Sequence, residues 1–226
     1  MAVIYQHESK WQFFNLNKIR VFYRLGLLTD FLRGTDFYGA QRSHPILDGH
    51  QFTTAYYPGL LSGIFKILPK QKVTGIIDIG SGKGLGIVRY KRAGIPKVGG
   101  IEYQSELVEI CKQNLQKLKI QADLLYCGDA QEFRDFSGFN TLYLYNALPC
   151  DVLEKTLSNF LSDDSTTARP HSSANDSEEH RALGSEKFLI SVNPVCHETV
   201  LNAGFVEMGR FFHFATHDDV VIYRLG

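Results

Sequence analysis

A chain of 226 residues with 44% hydrophobic and 21% charged side chains suits one α/β domain with an extension and carries enough apolar content for a sizeable core. Its 24 basic residues balance 24 acidic ones, so a strongly basic nucleic-acid binder is disfavoured and a small molecule or a protein is the better-fitting partner. No window approaches the roughly 18 apolar residues of a membrane span, MAVIYQHESKW has no signal-peptide pattern, and Cys111, Cys127, Cys150 and Cys196 form no C-x-x-C pair, so the expectation is a cytoplasmic protein with reduced thiols.

Trp11–Leu32 places Phe13, Phe14, Leu16, Ile19, Phe22, Leu25, Leu28 and Phe31 at helical spacing, which reads as a packed helix face ended by Gly34. Residues 35–51 are irregular, broken by Gly39, Pro45 and Gly49. Thr53 or Thr54 begins a second helix through Tyr56, Tyr57, Leu60, Leu61, Ile64, Phe65 and Ile67, with Pro58 in its first turn. Residues 1–70 thus read as a helical extension that covers a cofactor or substrate, and residues 71–226 as the core. Val73–Ile79 is a short β-branched run that falls into Gly80, Gly82 and Gly84: a buried strand entering a tight turn, followed by a helix over Leu85–Ala93.

Lys97–Tyr103 is the second strand. Ser105 is placed as N-cap of a helix over Glu106–Lys119, with Leu107, Ile110, Cys111, Leu115 and Leu118 on one face. Ala122–Tyr126 and Phe139–Tyr145 are strands three and four, and Pro149 or Cys150 opens a helix through Leu153, Leu157, Phe160 and Leu161. Ser162–Glu186 is polar almost throughout and reads as a long mobile loop. A two-domain linker is the competing reading, weakened because only about 40 residues follow. Lys187–Val192 is strand five, His197–Ala203 a short helix stopped by Gly204, and Phe205–Phe214 with Val220–Leu225 an antiparallel hairpin.

The glycine loop decides the chemistry. A dinucleotide G-x-G-x-x-G needs its third glycine where Leu85 stands, and a Walker A loop needs one where Ile77 stands. What remains is D-x-G-x-G-x-G over Asp78–Gly84. Glycines there let backbone approach an organic ligand closely, and Asp78 suits a cation where it would oppose a pyrophosphate. A plain strand-to-helix turn is the alternative. Glu102 lies 22 residues beyond Gly80, where an acid accepts hydrogen bonds from ribose hydroxyls; alone it would read as a solvated strand end. Tyr103 is placed to pack on adenine, or equally to sit in core or surface. Asp129, in Gly128-Asp129-Ala130 after strand three, reads as an adenine contact and as an N-cap, and both roles can coexist. Asn146, in Tyr145-Asn146-Ala147-Leu148-Pro149, follows strand four at the ligand-facing end of the sheet; a turn asparagine is the bland reading.

From Asp78 to Asn146 this set resembles the class I S-adenosylmethionine (SAM) methyltransferases, and less specifically so through the C-terminal hairpin. The resemblance implies a seven-stranded, mostly parallel, Rossmann-like α/β sheet whose seventh strand inserts antiparallel beside the fifth. It implies SAM as cofactor, held by Asp78, Gly80, Ser81, Gly82, Gly84, Glu102, Tyr103, Asp129, Ala130 and Asn146. It makes Asn146 the residue that positions the methyl acceptor. Amino-methylating families often carry Asn-Pro-Pro-aromatic at that place. Only Asn146 matches, so a nitrogen acceptor is suggested. IDIGSGKG and YLYNALPCDVLEKTL are also similar to non-SET histone-lysine methyltransferases and to small microbial methyltransferases, whose substrates do not carry over. Two alternatives stand beside this reading: an NAD-dependent oxidoreductase, disfavoured by Leu85 and the hairpin, and a catalytically silent methyltransferase-like binding protein, kept open by Ala147-Leu148. His44, His50, His197, His213 and His217 have no ligand-like spacing, so no metal is expected. Cys150 reads as a buried small residue.

Overall fold

The computed structural model describes residues 21, 23–38, 59–145, 148–162, 186–213 and 218–226. Within them, the short apolar runs pair into one sheet: β1 Gly75–Ile79, β2 Lys97–Glu102, β3 Leu124–Cys127, β4 Thr141–Tyr145, β5 Phe188–Val192, β6 Phe205–His213 and β7 Asp218–Leu225. Their spatial order is β3-β2-β1-β4-β5-β7-β6. β1 to β5 run parallel, and β7 lies antiparallel between β5 and β6. The expected seven-stranded arrangement, with its antiparallel insertion beside the fifth strand, is therefore the one observed.

The helices are α1 over 23–33, α2 Leu60–Ile67, α3 Leu85–Arg92, α4 Ser105–Leu118, α5 Cys150–Ser162 and α6 His197–Asn202. They cover both faces of the sheet, which is why all five residues of β1 are buried rather than alternating. On one face Leu60 and Ile64 of α2, Ile87 and Tyr90 of α3, and Cys111 and Leu115 of α4 pack on Ile76, Val98, Tyr143, Ile190 and Ile222. On the other, Leu153, Leu157 and Phe160 of α5 and Val200 of α6 pack with Phe133 and Phe136 on Ile77, Leu142, Leu189 and Val221. Phe136 meets both Phe133 and Phe160 edge-on, an arrangement that adds ring electrostatics to apolar burial.

Four expectations are corrected. Ser105 is not the N-cap of α4: Gln104 takes that position in extended conformation without a side-chain cap, and the Ser105 hydroxyl turns to Glu106. Val108 and Asn114, rather than Ile110 and Leu118, complete the fully buried face of α4. Leu25, Leu28 and Phe31 of α1 are exposed rather than packed. α1 is tied by polar contacts instead: Asp30 accepts from Thr35 Oγ1, Phe37 N and Tyr38 N at 2.7–2.8 Å, and Gly26 leaves room for the Tyr38 ring. The fourth correction concerns the thiols. Cys150 and Cys196 are disulfide-bonded, with Cα atoms 5.4 Å apart across 46 residues of sequence, because α5 and α6 both start at the carboxyl edge of the sheet, after β4 and β5. Cys111 and Cys127 are free.

Trp11 to Arg20, the expected helix start over 53–58 with Tyr56 and Tyr57, and all but the ends of the expected loop 162–186 lie outside the described residues, as do His44, His50 and His217.

Candidate functional site

Parallel strands β1, β2 and β4 end on the same edge, the edge at which open α/β sheets bind their ligands. The chain leaves β1 through Gly80, Gly82 and Gly84, at φ of 75°, 52° and 84°. These left-handed conformations disfavour any side chain, which explains the repeated glycine. Gly84 has a second reason: a Cβ there would run into Cys111 Sγ of α4. The amides of Gly80 and Ser81 both donate to the Ile101 carbonyl of β2, at 2.8 and 3.0 Å. Ser81 is buried and lies so close over Gly100 that a side chain on that residue would strike it.

Glu102, at the end of β2, is 7% exposed. Its Oε2 accepts from Gly82 N and its Oε1 from Gln104 N, each at 2.9 Å. Burial raises its pKa, and backbone N–H groups of Gln104, Gly82 and Tyr103 pull it partly back. The residue singled out by its distance from the glycines is therefore also the clasp that sets their conformation, a role the spacing did not reveal. Asp78 is 5% exposed at the end of β1. Burial and the nearby Glu102 charge push its carboxyl well above the ordinary range, and among the described residues no group donates a hydrogen bond to it. A buried acid in that position is receptive to a cationic partner. Burial, with the charges of Asp78 and Glu102 beside it, also pushes the Cys111 thiol up to about 12, which leaves it unreactive.

The other expected residues divide by exposure. Tyr103 is 62% exposed at the rim. Asp129 is the N-cap of a 3₁₀ turn over Ala130–Glu132: it accepts from Gln131 N at 3.1 Å and from Gln131 Nε2 at 2.7 Å. Ala130 is buried beneath it. Asn146, the expected acceptor-positioning residue, lies with Ala147 outside the described residues; Tyr145 immediately before it closes β4.

One cluster had no sequence signal. Lys83, within the glycine loop, is 2% exposed, and its ammonium meets Asp36 Oδ1 at 2.9 Å. Asn114 of α4 locks both segments: Oδ1 accepts from Asp36 N at 2.7 Å, and Nδ2 donates to the carbonyls of Asp36 and Lys83 at 3.1 Å. The segment after α1 is thereby clamped onto the glycine loop. These partners are 31 to 78 residues apart, so no local pattern could have announced them.

The family model described as Protein-L-isoaspartate(D-aspartate) O-methyltransferase (PCMT) matches residues 45–161, just over half of the chain. The chain belongs to this family. The match spans the glycine loop, Glu102, Asp129 and the turn after β4, and leaves the NAD-dependent alternative without support. A protein-L-isoaspartate O-methyltransferase of Thermotoga maritima is 26% identical over 100 residues, a stretch that covers 43% of this chain and 32% of that relative. The chain thus matches about a third of the length of that curated relative. Among solved structures, magnesium protoporphyrin IX methyltransferase (ChlM) from Synechocystis PCC 6803 with bound SAM superposes with a TM-score of 0.52 at 15% identity, covering 88% of this chain and 92% of that one. An RNA methyltransferase from Salinibacter ruber in complex with S-adenosyl-L-homocysteine gives 0.50 at 16% identity, covering 75% and 92%. At these identities the likeness concerns the fold.

Proposed function

We propose that the protein is a SAM-dependent methyltransferase acting on a protein or a small molecule. The observation that carries this is the buried Asp78 carboxylate beside a loop of three left-handed glycines, since a ligand bearing an ammonium and a sulfonium supplies the positive charge that carboxylate lacks. SAM, when bound, supplies an activated methyl group on a sulfonium. The chain's own task is then alignment and exclusion of water rather than activation. Gly80, Ser81, Gly82 and Gly84 bring backbone against the methionine portion, with Asp78 on its ammonium. Glu102 serves the ribose hydroxyls with its remaining lone pairs, because each of its oxygens already holds one backbone amide. Tyr103 covers the adenine from the rim, and the turn at Asp129-Ala130 meets its edge. Asn146 positions the acceptor, which its asparagine chemistry suits to a nitrogen. Residues 1–70 cover the crevice, and the 162–186 segment takes part in acceptor selection.

A second reading has its own support: the family is named for methylation of a carboxylate, on protein isoaspartate. Isothermal titration with SAM, S-adenosylhomocysteine and NADH tests the shared part. SAM should bind, S-adenosylhomocysteine should compete with it, and NADH should give no heat. Glu102→Gln should weaken SAM binding about tenfold, the scale of one charge-assisted hydrogen bond. Absence of SAM binding to the wild-type chain would overturn the proposal.

A further inference from the structure

A cavity of about 170 Å³ lies between α1, α3 and the end of α4. Helical spacing builds its walls. Leu25, Thr29 and Arg33 recur every fourth residue along α1, and Leu85, Arg89 and Arg92 share one face of α3, so each helix turns a single stripe into the cavity. Leu118 of α4 and Tyr38 complete it. Gly26 makes the room on the α1 side, since a Cβ there would meet the Tyr38 ring.

The charge lining this cavity is unbalanced. Three guanidiniums, of Arg33, Arg89 and Arg92, face one carboxylate, that of Asp30. Asp30 is already spent on Thr35 Oγ1, Phe37 N and Tyr38 N. Among the described residues none of the three arginines is in an ion pair, although their neighbour Lys91 is paired with Asp123. Arg89 is half-buried. Burial raises the Tyr38 pKa, and Arg89 beside its hydroxyl pulls it partly back. Arginines in the last turn of a helix complement its dipole, which accounts for their charge but not for three of them lining one cavity. A partly desolvated guanidinium is served best by an anion that takes its N–H groups in pairs. The surplus of two positive charges matches a phosphate monoester, with about 1.5 to 2 negative charges near neutral pH and three acceptor oxygens. A carboxylate would leave half of it unmatched. Leu25, Leu85 and Leu118 offer apolar wall to a compact organic body attached to the phosphate.

We propose that the cavity between α1 and α3 binds a small phosphate monoester, and that its occupancy tightens the cofactor site. The phosphate site stands apart from the methyltransferase reading above; the coupling rests on it. Two walls of the cavity lead to the glycine loop. Leu85 directly follows Gly84, and Thr35 and Phe37, which both line the cavity, flank Asp36. Asp36 holds Lys83 of the loop, and Asn114 fastens the two segments together. A ligand that joins α1 to α3 therefore holds both sides of that clamp at once. By linkage, SAM should tighten the phosphate site by the same factor.

The test titrates phenyl phosphate by calorimetry into the full chain, with and without SAM. It should bind once per chain. Inorganic phosphate, which lacks the apolar body, and benzoate, which lacks the second charge, should each bind about tenfold more weakly. Arg89→Gln should weaken phenyl phosphate about tenfold, the scale of one charge-assisted hydrogen bond. Arg33→Gln and Arg92→Gln, at exposed positions where folding is not at stake, should each weaken it about threefold. Saturating phenyl phosphate should raise SAM affinity about fivefold. Asn114→Ala should abolish that gain while phenyl phosphate still binds. Failure of phenyl phosphate to bind the wild-type chain, or undiminished binding to all three arginine variants, overturns the site. Equal affinity for inorganic phosphate overturns the ester. Binding that leaves SAM affinity unchanged or lowers it overturns the coupling alone. Absence of SAM binding in either condition overturns the methyltransferase reading together with the coupling, and leaves the phosphate site standing.

Discussion

The two halves of the carboxyl edge are built by different means. At the β1–β2 end the geometry is set by backbone: glycine dihedrals, amides of Gly80 and Ser81 on the Ile101 carbonyl, and amides of Gly82 and Gln104 on Glu102. At the β4–β5–β7 end it is set by side chains from distant segments, Tyr145, Asn193 and Asp218, and by the Cys150–Cys196 bond between the two neighbouring helix starts. A backbone-built half suits a ligand whose contacts do not vary. A side-chain-built half can be changed one substitution at a time without disturbing the loop. The lesson is a division of labour along one sheet edge.

That contrast predicts unequal tolerance. Gly84→Ala should be the most damaging change, about 4 kcal/mol by chemical denaturation, combining left-handed strain with the collision on Cys111. Adding Cys111→Ala should recover part of this and leave the strain, a coupling that a double-mutant cycle reads directly. Additive losses would show that the contact is not the cause. Asn114→Ala should cost about 3 kcal/mol, because it strips partners from the Asp36 amide and from the carbonyls of Asp36 and Lys83. It should also weaken SAM binding by loosening the loop. On the other half, Cys150→Ser should cost about 2 kcal/mol under oxidising conditions and nothing once wild type is reduced, with SAM binding unchanged in either state.

The same contrast explains what could be read in advance. D-x-G-x-G-x-G is legible because each glycine answers a local backbone demand, and the strand order was implied by the resemblance to class I methyltransferases that this loop and the alternating elements carry. Glu102 was found by its spacing, but its grip on Gly82 is visible only in three dimensions. The α4 face was misjudged at Asn114 because a polar residue there looks outward until Asp36 and Lys83 are known to lie against it. Cysteine spacing could not pair Cys150 with Cys196 across 46 residues. Asp218 stood in what looked like a turn; only antiparallel pairing with β5 carries it to the end of β4.

The finest test sets stability against binding at Asp78. Its folded pKa lies above the unfolded value, through burial first and the Glu102 charge second. The native state therefore holds this proton more tightly than the unfolded chain. Between the unfolded and folded values stability therefore falls as pH rises. Asp78→Asn removes the ionisation, so it should raise neutral-pH stability and flatten the decline measured by denaturation between pH 4 and 8. The same substitution removes the charge offered to the ammonium of SAM and should weaken SAM binding about tenfold or more. Opposite signs in the two assays would mark Asp78 as a group kept at a cost to the fold for the sake of its ligand. A variant that loses stability and keeps its SAM affinity would instead make Asp78 a structural residue, and would move the ammonium contact to another part of the loop.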